Sequence, residues 1–229
     1  MSDTLDGMTA GFQGWRGDFQ GFFLGLRANN TKAYFAAHRR QYEQDVKAPM
    51  VALLAELEPE FGAARLSRPN RDIRFAADKS PYKTNIYASA PAGGYVSLDA
   101  TGLVAAGGRY MLEPFDLARF RAAAAVQKSG AELARAVAAL RDKGYEIGDP
   151  ELKRVPPPHP QDHPRAELLR HKRLIYWRRW DIAPWIATPK VRERVVEAWR
   201  DGAALSRWLA AHVDDRAPAA TTRSRRRSV

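Results

Sequence analysis

Residues 84–112 read TNIYASAPAGGYVSLDATGLVAAGGRYML and decide the fold of this chain. Short apolar runs alternate here with glycine-containing turns, a pattern typical of consecutive strands. Three strands are predicted, at residues 84–89, at 95–99, and at 103–112 with a bend at Gly107-Gly108. The connections between them are too short for a crossover helix, so the strands are expected to pair antiparallel as a meander.

Two more segments carry the signature of a strand. Residues 71–75 alternate, which predicts Ile73 and Phe75 on one face and Asp72 and Arg74 on the other. Residues 174–180 form an aromatic and basic run of strand length. The sequence therefore predicts an antiparallel sheet of about four to five strands.

Helical periodicity flanks the meander on both sides. Before it, apolar residues recur at helical spacing in residues 19–26 and 35–46, and again from Met50 to Phe61. Pro49 is expected to interrupt the second of these helices, because a residue before proline avoids the α region. After the meander, helices are predicted from Pro114, from Ser129 and, as one long helix, from Thr188 through Leu209. Helices before and after a run of strands predict an α+β fold with the helices mainly on one sheet face.

The chain divides into a body and two loose ends. Its 229 residues are 45% hydrophobic and 28% charged, which is ordinary for a globular protein. We expect a flexible leader at 1–14, a single α+β domain at 15–213 and a disordered basic tail at 214–229. Neither a secretory signal nor an apolar run of bilayer length occurs, so a soluble, cytoplasmic protein with no membrane association is expected.

Positive charge is concentrated in three segments of the chain, whose formal net charge is +11. Residues 65–83 hold six Lys and Arg against two Asp, and residues 151–180 hold eight against three acidic residues. The tail at 214–229 adds five Arg against two Asp. Clustered charge of this kind can attract polyanions to one surface, and it can also do no more than keep the chain in solution.

The densest group of chemically active side chains lies at residues 68–83, which read RPNRDIRFAADKSPYK. Arg binds phosphate or carboxylate through two parallel hydrogen bonds, and Lys binds the same groups as a point charge. A carboxylate among such cations is a poor general base but a good orienting partner. Internal pairing of Asp72 with Arg74 and of Asp78 with Lys79 is the structural alternative. The candidate ligand-binding residues are Arg68, Arg71, Asp72, Arg74, Asp78, Lys79, Tyr82 and Lys83.

This stretch resembles the hallmark of a known family. Arg-x-x-Arg-Asp-x-Arg-Phe at 68–75, followed by Asp-Lys-Ser-Pro-Tyr-Lys at 78–83, is similar to the motif of the domain-of-unknown-function family 2461, whose members are mostly bacterial. The resemblance covers nearly the whole body. One departure is the proline-rich stretch 155–160, where the family usually has a glycine-containing one. The family carries no assigned activity, so the resemblance implies a common folding unit and transfers no catalytic residue.

Two other groups of residues contain the residue types of a binding site. His159, Asp162, His163 and His171 include metal-binding residue types, but their spacing matches no standard site and the chain contains no cysteine, so neither a metal nor a cofactor is predicted. In the run Tyr176-Trp-Arg-Arg-Trp180, strand alternation places Trp177 and Arg179 on one face. Tyr176, Arg178 and Trp180 are placed on the other face, and one of the two faces is expected to be core while the other forms a surface lined by cation–π contacts.

Three functions of different classes remain open from the sequence. A pocket built on the 68–83 motif would bind a small anionic ligand, with phosphate-bearing molecules included. Alternatively, the same cluster is an enzyme site in which Asp72 or Asp78 moves a proton while Arg74 and Lys79 stabilise negative charge. In the third, the basic surface and tail bind nucleic acid. The first is favoured, because the motif mixes both signs of charge whereas a nucleic-acid groove is more uniformly basic. The partners and the oligomeric state are not specified by the sequence.

Overall fold

A computed structural model of the chain describes residues 11–92 and 94–214. These residues form an α+β fold around an antiparallel sheet with the strand order β1-β2-β3-β4-β6-β5. The strands are β1 (Arg65–Leu66), β2 (Asn85–Ser89), β3 (Tyr95–Asp99), β4 (Gly102–Arg109), β5 (Glu146–Ile147) and β6 (Leu174–Asp181). The predicted class and the meander β2-β3-β4 are confirmed. The sheet has six strands instead of four to five, since β1 and β5 have two residues each and leave no periodic pattern.

The helices lie before and after the meander, as predicted. They are α1 (Phe19–Ala28), α2 (Lys32–Ala37), α3 (Arg39–Gln41), a π-helical segment (Tyr42–Lys47), α4 (Ala48–Phe61), α5 (Pro114–Ala125), α6 (Gln127–Asp142), α7 (Ala166–Leu169), a 3₁₀ turn (Pro184–Ala187), α8 (Lys190–Asp201) and α9 (Ala203–His212). Asp18 begins α1 by accepting a hydrogen bond from the Gly21 N–H, the usual role of an N-cap carboxylate.

The helices cover one face of the sheet. Paired residues of neighbouring strands point to the same face, and the register pairs Ile86 with Leu98, Leu98 with Leu103 and Ala105 with Val96. All of these side chains are buried. One core cluster joins Ile86, Val96, Leu98 and Leu103 to α1, α4 and α8. A second, which includes Ala105, packs around Tyr176 with α5, α6 and α9. The prediction that the helices pack mainly on one face is therefore confirmed.

The predicted strand at 71–75 is wrong. These residues form an exposed loop, and the ladder beside them is reduced to one isolated bridge between Asn70 and Tyr82. Asp72 accepts a hydrogen bond from the backbone N–H of Arg74, at 3.3 Å, which offers this N–H a partner other than a neighbouring strand. Pro81 also lacks the N–H that a ladder needs. The alternation of residues 71–75 therefore reflects a charged surface loop.

The interruption predicted at Pro49 is also absent. Ala48 has α-helical angles, φ −59° and ψ −44°, and α4 continues directly from the π-helical segment. In that segment the hydrogen bonds reach one residue further back, and the N–H of Ala48 bonds to the carbonyl of Glu43. This wider turn precedes the proline and lets the helical direction continue through it. Residues 32–61 consequently build one nearly continuous helical arm.

The boundaries of one strand and one helix differ from the prediction, and a glycine lies at each of them. Strand β4 runs through Gly107 and Gly108 as far as Arg109, with Gly108 at φ +101°, a backbone angle that favours glycine. The long helix predicted from Thr188 is divided into α8 and α9 at Gly202. The hydroxyl of buried Tyr176 occupies the space that a side chain at residue 202 would take.

The ends of the chain lie mostly outside the described residues. The leader predicted at 1–14 is described only from residue 11 onward. Phe12 is buried in the hydrophobic core, so this part of the predicted leader is packed against the domain. The predicted basic tail is described only at Asp214, which forms an ion pair with Arg109. Along residues 11–92 and 94–214, none of the helices combines the length and apolar character needed to span a bilayer.

The ring of His171 is completely buried between α7 and β6. Its Nδ1 donates to the carbonyl of Arg173 at 3.1 Å, while Nε2 has no hydrogen-bond partner among the described residues. Burial lowers the pKa of His171 below its usual value. The unfolded chain therefore takes up a proton below about pH 6.5 while the folded chain resists it, so acid favours unfolding.

We expect the free energy of unfolding to fall as the pH is lowered from about 7 toward the depressed pKa of His171. The variant His171→Asn keeps a donor toward Arg173 but cannot be protonated, so its stability should change less over the same range. Urea unfolding at a series of pH values between 5 and 8 measures the difference, with His159→Asn as a control in a surface loop. Parallel curves for wild type and His171→Asn would contradict the assignment.

Candidate anion-binding site

The motif at 68–83 forms a loop that connects β1 to β2 and is closed at its base. The N–H of Arg71 donates to the carbonyl of Pro81 at 2.9 Å, and the N–H of Lys83 donates to the carbonyl of Pro69 at 2.8 Å. The ammonium of Lys83 then donates to the carbonyls of Arg68 and Asn70, both at 2.6 Å. Burial lowers the pKa of this lysine. Lys83 therefore holds the two sides of the loop together at its base, here called the neck of the loop.

The charged side chains beyond the neck bind one another. Arg74 donates through Nε and Nη2 to the two carboxylate oxygens of Asp72, at 2.9 and 2.6 Å. Arg71 forms an ion pair with Asp78, and Lys79 donates to the carbonyl of Ile73 at 3.1 Å. The predicted pairing of Asp72 with Arg74 is confirmed. The predicted pairing of Asp78 with Lys79 is wrong, since Arg71 takes that place.

These contacts make both carboxylates weak bases. The hydrogen bonds from Arg74 lower the pKa of Asp72, and hydrogen bonds from Ser80 and Arg71 lower the pKa of Asp78. A general base near neutral pH requires the opposite shift. The loop carries Phe75 at its tip, 96% exposed. Its charged groups therefore shape a surface loop and do not enclose a cavity.

A groove lies beside the neck of this loop. It has a volume of about 600 Å³ and runs between one face of the helical arm and residues 66–70. The lining residues are Lys32, Phe35, Ala36, Arg39, Tyr42, Glu43, Lys47, Leu66, Ser67, Arg68, Pro69, Asn70 and Tyr82. Three of them, Tyr42, Glu43 and Lys47, belong to the π-helical segment, a form of helix that is frequent at functional sites.

Positive charge dominates the groove. Lys32, Arg39 and Arg68 are exposed, and their side chains form no ion pair or hydrogen bond with any described residue. Lys47 is paired with Glu43 at 2.7 Å, which neutralises the only carboxylate among the lining residues. Three cations therefore line one concavity without an ion pair to the described part of the chain, and the charge of Arg68 also acts on the carboxylate of Asp72.

Aromatic packing holds the two walls of the groove together. The rings of Phe35, on the arm, and Tyr82, on the loop, stack with their centroids 4.2 Å apart and their planes at 11°. Asn30 bonds to the backbone of Tyr82 in both directions, at 2.9 and 3.0 Å. Beneath them, burial raises the pKa of Tyr42 to about 12, so its hydroxyl stays protonated. The groove is therefore preformed between fixed walls.

The structure brings only part of the predicted site together. Of the eight candidates, Arg68 and Tyr82 line the groove and Lys83 fixes its edge. Arg71, Asp72, Arg74, Asp78 and Lys79 stand on the exposed loop. Sequence reasoning missed Lys32 and Arg39, whose seven-residue spacing on one helix face was the available signal.

The other candidate groups occupy separate surfaces. Trp177 and Arg179 share the sheet face opposite the helices, while Tyr176 is in the core, so the predicted division of this strand is confirmed. Arg179 is bound to Asp99 at 3.0 Å. The rings of His159 and His163 lie 6.1 Å apart. Within the described residues, no group of three or more His, Asp or Glu side chains is arranged to hold a metal ion.

Comparison with known proteins gives one family match. The model of a family described as "Conserved hypothetical protein (DUF2461)" matches residues 18–208, which include both walls of the groove and the whole 68–83 loop. No curated protein matches the chain. No solved structure matches it either.

Proposed function

We propose that this chain, which belongs to the DUF2461 family of conserved hypothetical proteins, binds a small anionic ligand in the groove between its helical arm and the neck of the 68–83 loop. The observation that carries the proposal is that Lys32, Arg39 and Arg68 line one groove and form no ion pair or side-chain hydrogen bond with the described residues. Cations held close together repel one another, and a bound anion relieves that repulsion.

The dimensions and chemistry of the groove support a small ligand. Its volume of about 600 Å³ falls within the range of ordinary small-molecule sites. Arg39 and Arg68 lie on opposite walls, so an anion between them can accept charge-assisted hydrogen bonds from both. Phosphate-bearing molecules and carboxylates both satisfy these donors.

The enzyme alternative has less support in the geometry. Asp72 and Asp78 are exposed and ion-paired, and the pKa of each carboxyl group is lowered. Neither is therefore suited to accept a proton at neutral pH. Neither lines the groove. We therefore propose binding as the function and assign no catalytic residue.

We expect Arg39→Ala and Arg68→Ala each to weaken anion binding about 10-fold to 100-fold, the equivalent of losing a hydrogen bond to a charged group. Thermal-shift screening against sugar phosphates, nucleotides and dicarboxylates identifies a binder, and calorimetric titration then measures its affinity for each variant. Arg135→Ala is the matched control, because Arg135 is an exposed arginine in the middle of α6, a helix that packs in the second core cluster, and it does not line the groove.

The paired loop residues supply the opposing arm of this experiment. Arg74→Ala and Lys79→Ala should leave the affinity within about twofold of wild type, since both side chains are outside the groove. Loss of binding in these two variants, with Arg39→Ala unaffected, would move the site to the exposed loop. If no anion binds, neither a compound of the screen nor an acidic peptide, the proposed function fails.

A further inference from the structure

We infer that the anionic ligand of the groove is an acidic peptide segment in extended conformation, which binds by adding a strand to the outer edge of β1. This inference rests on the proposed function and specifies its ligand. It draws on a second property of the groove besides charge, namely that one of its walls is the unpaired edge of the sheet.

Strand β1 stands at the end of the strand order, so only one of its sides is paired. The N–H of Ser67 donates inward to the carbonyl of Tyr87 at 2.8 Å. In an antiparallel ladder, the backbone groups of the residues on either side of such a residue point outward. The N–H groups of Leu66 and Arg68 therefore point away from β2, and neither has a hydrogen-bond partner in the described part of the chain.

Most free sheet edges are covered or blunted, because they invite pairing with another chain. Here residues 66–70 line the groove opposite the arm. Lys83 already bonds the carbonyls of Arg68 and Asn70, so the open part of the edge consists of the backbone groups of Leu66 and the N–H of Arg68. An added strand would pair there over about three residues, or roughly 10 Å. An exposed edge facing a helix across a groove is a geometry used to bind peptides through their main chain.

The positive charge of the groove favours a peptide with acidic side chains. Leu66 faces the helix-covered side of the sheet, and by alternation Arg68 faces the same side, toward the arm that carries Lys32 and Arg39. Side chains at alternate positions of an added strand would point to this side, about 7 Å apart. Two carboxylates at positions i and i+2 would thus meet the three cations. The recognised pattern is Glu-x-Glu or its aspartate equivalent.

The test uses two peptides of identical composition, acetyl-Val-Glu-Val-Glu-Val-amide and acetyl-Val-Glu-Glu-Val-Val-amide, titrated calorimetrically into the full-length chain. We expect the alternating peptide to bind at least fivefold more tightly. Arg39→Ala should weaken its binding about tenfold or more, and Arg135→Ala should leave it unchanged.

Backbone methylation separates strand addition from simple charge attraction. Two further peptides carry N-methyl groups either on both glutamates or on the valines at the third and fifth positions of the alternating sequence. Pairing along one edge predicts that one of the two methylation patterns abolishes binding and the other leaves it largely intact, because N–H groups of alternate residues point to opposite sides.

The outcomes separate this inference from the proposed function. Equal affinity of the two unmethylated peptides, or equal effects of the two methylation patterns, would overturn strand addition. If a sugar phosphate binds and depends on Arg39 while neither peptide binds, the inference fails and the proposed function stands. If neither the phosphates, the dicarboxylates nor the peptides bind, both fail.

Discussion

Replacing Trp199 with alanine should lower the free energy of unfolding by about 3–5 kcal/mol, the usual cost of removing a large buried aromatic side chain. Trp199 is 1% exposed and lies on α8 at the junction of three elements. Its ring meets that of Phe61 edge to face, with centroids 5.0 Å apart, at the end of α4. Its indole N–H donates to the carbonyl of Tyr95 at the start of β3, at 3.3 Å.

The size of this effect follows from two separate losses. The cavity left by the indole cannot collapse easily, because helices and sheet are already in contact around it. The carbonyl of Tyr95 also loses a donor that no alanine can replace. Urea unfolding followed by circular dichroism measures the change. Trp199→Phe fills most of the volume and should cost less than half as much, so equal losses in both variants would contradict this account.

The sequence predicted the sheet where the pattern was local. Residues 84–109 alternate and turn within a few residues, so β2 and β3 could be placed almost to the residue, whereas β4 ends at Arg109 instead of residue 112. The same rule failed at residues 71–75, because a loop in which Asp72 and Arg74 bind each other also alternates in charge. Period-two alternation reports which side chains share a face, and it does not report whether a neighbouring strand is present.

The candidate site was predicted less well, because its residues are far apart in the sequence. Arg68 belongs to the motif, but Lys32 and Arg39 reach it from a helix about 30 residues earlier. Their convergence depends on the stacking of Phe35 on Tyr82, a contact across 47 positions that no local pattern encodes. The family motif lies next to the groove, and two of its residues line it. Most of the charged residues of the motif, however, bond within the loop and stabilise its shape.

Because Lys83 holds the neck of the loop, we expect Lys83→Met to lower both the stability of the chain and its affinity for anions. Methionine keeps much of the apolar stem but removes the ammonium that binds the carbonyls of Arg68 and Asn70. Hydrogen bonds from a charged donor contribute about 1.5–3 kcal/mol, and two acceptors lose their partner at once. We expect the variant to be destabilised by about 2–3 kcal/mol and the neck of the loop to open.

Hydrogen exchange and ligand affinity test this expectation together. The amide of Arg71, which donates to Pro81 across the neck, should exchange faster in Lys83→Met, while the amides of β3 should keep their relative protection. Anion binding should also weaken about tenfold or more, because Arg68 loses its fixed position on the groove wall. Lys79→Met is the matched control, since within the described residues the ammonium of Lys79 bonds only the carbonyl of Ile73 near the exposed tip. If both lysine variants change exchange and affinity equally, Lys83 has no special role at the neck, and the groove does not depend on the loop for its shape.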